Sequence, residues 1–229
     1  LDCKGSFNYS FLKELIKIIR AKNVKLIHSH LLGSNVYASL AGLLTRTPVI
    51  STFHGFVDIS PDEKYRFLKF LLLRLGSKKI IAVTNQIKLM LETSTNIPKE
   101  KIKLIANGID TKKFFPNNQK NTESKTLQIL NDNNISFHLH IAGEDKNDLA
   151  KKLKIKAKEL KIDNKITWHG FIDSAETFLQ SLDIFLLSSR SEGHPLALTQ
   201  AMACGIPIIA TPCGIEEIIN NRNNGIIVQ

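Results

Sequence analysis

With 229 residues, 43% of them hydrophobic, the chain has the apolar surface for a sizeable core. No run reaches the roughly 18 uninterrupted apolar residues of a membrane span, and the start does not read as a signal peptide. Three cysteines, Cys3, Cys204 and Cys213, an odd count without C-x-x-C spacing, speak against a disulfide framework and for a reducing compartment, the cytoplasm. The net charge of +10 is lopsided: residues 1–115 hold 19 Lys and Arg against 8 Asp and Glu, while residues 116–229 hold 12 against 13. The basic half is expected to face something anionic: a lipid surface, a phosphorylated substrate or nucleic acid. Lysine used as a general surface filler is the competing explanation. The sequence opens on Leu1 rather than Met and stops at Gln229 directly after a strand-like "GIIV", as expected of a fragment incomplete at both termini.

Apolar runs at strand length alternate with segments of helical period, the pattern of parallel sheets covered by helices. In order, the periodicity predicts a helix over 11–22, a strand over 24–30, a helix over 35–46 and a strand over 47–55 ending in glycine. A helix over 62–76, a strand over 78–84, a helix over 85–94 and a short strand over 102–107, closed by the turn "NGID", complete the first half. Residues 114–125, polar and containing Pro116, read as a linker. The second half predicts a strand over 136–143, a lysine-rich helix over 146–161, a strand over 165–170, a helix over 174–181 and a strand over 183–188. A helix within 191–205, a strand over 206–211, a short helix over 215–221 and a strand over 225–228 follow. The fold class expected is α/β, two doubly wound domains at 1–113 and 126–229, with no internal repeat in the sequence.

The stretch "SEGHPLALTQAMACG" (191–205) joins the apolar runs "DIFLLS" and "IPIIAT". Ligands of open α/β sheets gather beyond the carboxyl ends of the strands, where helix amino-termini offer free N–H groups. Pro195 suits a first helical turn and Gly205 a helix end. Glu192 would accept from hydroxyl groups, Gly193 would let backbone N–H groups approach a ligand, and Gln200 would face the same cleft one and a half turns on. Carboxylate and amide together suit a polyhydroxylated ligand, whose hydroxyls both donate and accept. An ordinary helix cap on a structural unit explains the same spacing, and spacing alone does not choose.

The segments "IHSHLLGSNVYASLAG", "VISTFHG", "AVTNQIKLML", "IPKEKIKLIANGIDTKKFFP" and "SSRSEGHPLALTQAMACGIPIIATPCGIEEII" stand in this order over most of residues 24–229. In this they resemble the family 4 retaining glycosyltransferases of the GT-B fold. The resemblance implies two Rossmann-like domains facing across a cleft, the second binding a nucleotide-sugar and the first an acceptor, with no metal or other cofactor required. It implies that Glu192 contacts donor sugar hydroxyls, that the backbone of Gly193, His194, Pro195 and Leu196 holds the sugar with Arg190 beside it, and that Gln200 meets the ribose. His54 would lie at the reaction centre, and His28 and His30 on the acceptor side. Catalysis would rest on orientation and on stabilising the departing diphosphate, with no protein nucleophile.

Three departures from the family pattern stand out. A second glutamate is expected eight residues after the first, and Gln200 occupies that place, which weakens a charge-assisted pair by on the order of 1–3 kcal/mol. The arginine and lysine that grip the diphosphate have no counterpart in context; Lys120 and Lys125 are present but displaced. The first strands and glycine-rich loop of the first domain have no match.

His28 and His30, and His138 and His140, each share a strand face without the further ligands a metal needs, so zinc is not expected. His169 is expected to pack beside Trp168. The segment 65–79, apolar on one side and basic on the other, fits a core-facing helix, or an interfacial one that brings the chain to the inner face of an anionic membrane. Nucleic acid is not expected as a partner, because only 7% of residues are aromatic and none lies in the basic cluster 151–161. The function expected is transfer of a sugar from a UDP-, GDP- or ADP-sugar to a glycan or lipid-linked acceptor in cell-surface polysaccharide or lipopolysaccharide synthesis. The alternatives are a non-catalytic remnant of such an enzyme and a GT-B sugar-nucleotide epimerase.

Overall fold

The structure, a computed structural model, describes residues 7–116, 137–144, 148–160, 162–220 and 223–228. Most of the expected linker, with Lys120 and Lys125, lies outside the described residues, as do Cys3 and the start of the strand expected at 136. The chain divides into two compact units: Leu1–Ile109 with Leu186–Thr199 and Ile208–Gln229, and Asp110–Phe185 with Gln200–Pro207.

The first unit is built on β1 (Ile27–His30), β2 (Val49–Phe53), β3 (Ser77–Ala82) and β4 (Ile102–Leu104), all parallel and adjacent in chain order. Each crossover carries a helix: α2 (Leu32–Thr45), α3 (Arg66–Gly76) and α4 (Asn85–Ser94), while α1 (Tyr9–Ala21) precedes β1. Right-handed crossovers in a monotonic strand order put α2, α3 and α4 on one face. That face supplies the core: Phe53, Ile59, Phe70, Leu73, Ile80, Ile87 and Leu91 are almost fully buried in one cluster. Burying side chains of this size contributes on the order of 1.5–3 kcal/mol each. Beside the cluster runs a chain of small polar groups. Ser29 Oγ donates to Asn35 Oδ1 (2.7 Å), Ser51 and Ser77 share a bond (2.8 Å), and Ser77 and Ser39 another (2.9 Å). Strand alternation explains the arrangement: Ser29, Ser51 and Phe53 point toward the helices, so His28, His30, Thr52 and His54 point the other way.

β7 (Phe185–Leu187), β8 (Ile208–Ala210) and β9 (Ile226–Ile227) form a three-stranded sheet in that order. The short helix expected over 215–221 is a single turn instead, closed by Ile218 and Ile219 N–H on the Ile215 carbonyl. Asn224 Oδ1 accepts from Asn220 N–H (2.7 Å) and takes the donor that a next turn would use.

In the second unit β5 (Leu139–Ala142) pairs in parallel with β6 (Ile166–Gly170), and α5 (Leu149–Glu159) and α6 (Ala175–Ser181) accompany them. Lys113 pairs with Glu176 at 3.3 Å, and Gln180 Nε2 donates to the Phe115 carbonyl at 2.9 Å. The helix α7 (Leu196–Ala203) ends as expected at Gly205, whose φ is +71°. Gly205 N–H donates to Met202 O and Ile206 N–H to Ala201 O, the paired closure that a left-handed glycine permits.

Candidate functional site

β2 ends at Phe53, and His54 and Gly55 follow at its carboxyl end, where a parallel sheet offers its ligand crevice. In the same unit, the loop after β7 carries Ser189 to Pro195. Glu192 N–H donates to the Cys213 carbonyl (2.6 Å), and the Ser189 hydroxyl donates to Glu192 Oε1 (2.7 Å), so backbone and side chain of the glutamate are both fixed. A Cβ on Gly193 would run into the His54 carbonyl. The glycine is thus required by the approach of two backbones, a reason distinct from ligand access. The neighbouring turn closes equally tightly: a Cβ on Gly214 would stand 2.7 Å from the Glu192 carbonyl oxygen. Asn107 Nδ2 donates to the His194 carbonyl (3.1 Å) and ties the loop to the segment after β4. His194 Nδ1 is buried without a partner among the described residues. Pro195 is buried and accepts the first helical bond of α7 from Thr199 N–H (3.2 Å).

On the other side of His54, the parallel register sets His30 opposite Thr52, and His54 stands two residues beyond Thr52 on the same face. His30 Nδ1 and His54 Nε2 are 2.8 Å apart, His28 lies 4.4 Å from His30 between ring centroids, and His28 Nε2 bonds Thr52 Oγ1 at 2.8 Å. Burial first, then the charge of His30, holds the His54 imidazole below its ordinary value, with Asp58 opposing. Burial likewise pushes the Cys213 thiol up, followed by the charge of Glu192, so this cysteine packs as an inert side chain.

The structure therefore brings together His28, His30, His54, Glu192, Gly193, His194 and Pro195. Leu196 is exposed at the start of α7, Arg190 is exposed in the loop, and Gln200 lies half-buried on the part of α7 that belongs to the second unit. Sequence reasoning missed Ser189 as the partner of Glu192, what the Asn107 amide holds, and Glu217 as a cap of α4. Glu217 accepts from Asn85 N–H (2.9 Å) and Gln86 N–H (2.7 Å) at the amino-terminus of α4, beside the Thr84 cap. Asn107 stands in "IANGID", where an Asn-Gly pair signals a turn but not what its amide will hold.

The second unit repeats the histidine arrangement. His138 Nε2 bonds Thr167 Oγ1 (2.7 Å), His140 Nδ1 meets His169 Nε2 (2.9 Å), and the register sets His140 opposite Thr167. His169 thus pairs with His140 and lies edge-on to Phe178 (5.1 Å) rather than packing beside Trp168, which takes Lys154 over its ring. The expectation of no repeat holds for sequence spacing but not for side-chain placement: the paired histidines are 24 residues apart in one unit and 29 in the other. Among the described residues, no group of three or more His, Cys, Asp or Glu is placed to hold a metal ion.

Two family models match the chain, the one described as Glycosyltransferase Family 4 over residues 1–113 and the one described as Glycosyl transferases group 1 over residues 122–229. The chain belongs to this glycosyltransferase family. It is 22% identical over 268 aligned positions to the UDP-Gal:alpha-D-GlcNAc-diphosphoundecaprenol alpha-1,3-galactosyltransferase of Escherichia coli, covering 97% of this chain and 68% of that protein. The O-antigen biosynthesis glycosyltransferase WclY of Escherichia coli is 23% identical, covering 83% of this chain and 62% of its own length. Among solved structures, Anabaena HepE in complex with UDP-glucose superposes with a TM-score of 0.78 at 18% identity, over 95% of this chain and 68% of that one. The fold of this glycosyltransferase-family chain is GT-B, as expected from the sequence. The chain spans about two thirds of the length of these relatives.

Proposed function

We propose that this chain transfers a sugar from a nucleotide-diphosphate sugar to a glycan or lipid-linked acceptor, with retention of configuration, in the synthesis of a cell-surface polysaccharide or lipopolysaccharide. The observation that carries the reading is the interlock of Gly193 with the His54 carbonyl, because it sets Glu192 beside His54 in one rigid loop. A carboxylate already oriented by Ser189 keeps its second oxygen for sugar hydroxyls. His54 Nε2 is taken by His30, which leaves its Nδ1 for the substrate. The acceptor binds to residues 1–113 and the donor to residues 126–229 in this reading, with no metal or cofactor required. UDP is the favoured nucleotide over GDP and ADP, since the Anabaena neighbour is described with UDP-glucose and the Escherichia coli relative is named for UDP-Gal. Gln200 weakens the hold on the ribose, and Gln200→Glu tightens it.

The acceptor of that Escherichia coli relative is lipid-linked by name, and α3 fits such a setting. Phe70 and Leu73 face the core while Phe67, Leu68 and Leu75 are more than half exposed, next to Arg74, Lys78 and Lys79. An apolar stripe edged with cations suits the inner face of an anionic membrane and a cytoplasmic, peripheral protein. No helix of the described residues is long and apolar enough to cross a membrane. The test is transfer from UDP-galactose and UDP-glucose to a diphosphate-linked lipid acceptor, with the anomeric configuration of the product read by NMR. A product of retained configuration whose formation is lost in Glu192→Ala supports the reading. A folded chain that forms no product is the non-catalytic remnant, and an inverted product contradicts the retaining mechanism.

A further inference from the structure

Two imidazole nitrogens 2.8 Å apart hold one proton between them, one ring donating and the other accepting. His30 Nδ1 and His54 Nε2 are such a pair, so the tautomers of the two rings are coupled: where one donates, the other accepts. His30 is itself braced from two sides. Its ring lies on that of His28, which Thr52 Oγ1 holds, and the backbone just after it is pinned. Leu31 sits at φ +68°, a region a leucine rarely adopts, with its N–H on the Thr52 carbonyl (3.1 Å) and its own carbonyl accepting from Asn35 N–H (2.9 Å). His54 is therefore gripped twice: its backbone by Gly193 and its ring by His30.

We propose that His30 is a positioning residue for His54, holding its ring plane and coupling its tautomer to that of His30 through the shared proton, so that His54 Nδ1 is the ring nitrogen presented to the sugar. This rests on the transferase reading above for its role in turnover, but not for the proton itself. The groups that act on the pair are His28 from β1 and Asp58 from the turn after β2, whose Oδ1 is engaged by Leu32 N–H. The His140 and His169 pair of the second unit serves as an internal reference with the same ring contact.

Two variants separate positioning from mere packing. His30→Phe keeps a ring against His28 but can share no proton, whereas His30→Asn places an amide, donor and acceptor both, where Nδ1 stood. Imidazole nitrogen NMR of the folded chain is expected to show the His54 Nε2 resonance shifted by a hydrogen bond in the wild type and in His30→Asn, and that shift lost in His30→Phe. With UDP-sugar and acceptor, His30→Phe is expected to lower kcat about 10- to 100-fold with UDP affinity unchanged, and His30→Asn to recover much of it, as for other partners that fix a histidine tautomer. His54 resonances unaltered in His30→Phe, or a His30→Asn variant no better than His30→Phe, overturn the proposal. A wild-type chain that binds no UDP overturns the transferase reading instead, and the NMR comparison still decides whether His30 sets the His54 proton.

Discussion

The two histidine ladders are built from the same parts and placed differently. In both, an H-x-H strand lies parallel to a strand ending Thr-aromatic-His-Gly, the first histidine bonds the threonine and the second shares a proton with the last. The first ladder has the Gly193 backbone against the carbonyl of His54, whereas in the second the His169 ring lies edge-on to Phe178 at 5.1 Å. Strand register and alternation make such a ladder wherever these residues occur. A site needs the further loop that brings Glu192, and this separates the first unit's ladder from its copy.

The largest effect expected from breaking that difference is at the glycines. Gly193→Ala forces the loop off His54 and is expected to cost about 1–3 kcal/mol of stability through overpacking, together with most of the UDP-sugar affinity. Gly170→Ala meets open space and is left with the cost of its φ of +66°, about 1 kcal/mol. Denaturant midpoints of the two variants, with nucleotide titration of the first, check the ranking. A smaller effect is expected from Glu217→Ala, which removes a carboxylate from two N–H groups at the start of α4. The loss is about 1 kcal/mol and should appear as faster hydrogen exchange confined to Asn85–Ile87. Uniform exchange in that variant would deny the cap.

The smallest effect is in pH. The folded chain holds the His54 proton more weakly than the unfolded chain does, because burial and His30 lower its affinity below the ordinary value of 6.5. Stability from this group is present above pH 6.5 and is lost as pH falls from there through the depressed folded value. Urea midpoints measured from about pH 7.5 down to about pH 5.5 should therefore fall less in His54→Gln than in the wild type. An equal fall in both would assign the acid sensitivity to other groups.

Much of this was legible in the sequence because its rules are local. Apolar runs of strand length located β1 to β3, Gly205 marked the end of α7, and the order of short motifs named the family. The partners of the site were not legible. Asn107 reaches His194 across 87 positions and Glu217 reaches Asn85 across 132, and no spacing rule connects residues that only the folded chain brings together. The repeated ladder did leave a local trace, H-x-H followed by Thr-aromatic-His-Gly in both halves, but crossovers that set the paired histidines 24 and 29 residues apart hide it from a search for a fixed period. The turn at Ile215–Ile219 misread as a helix shows the limit of composition alone, where one asparagine side chain decides whether a further turn forms.

The central claim, that the loop locked to His54 holds a nucleotide-sugar, is tested most directly by calorimetric titration of the chain with UDP, GDP and ADP in turn, without added metal. Saturable binding of UDP, lost in Glu192→Ala while the variant stays folded, is the result predicted. A folded chain that takes up none of the three nucleotides would contradict the account and leave a glycosyltransferase fold that no longer holds its donor.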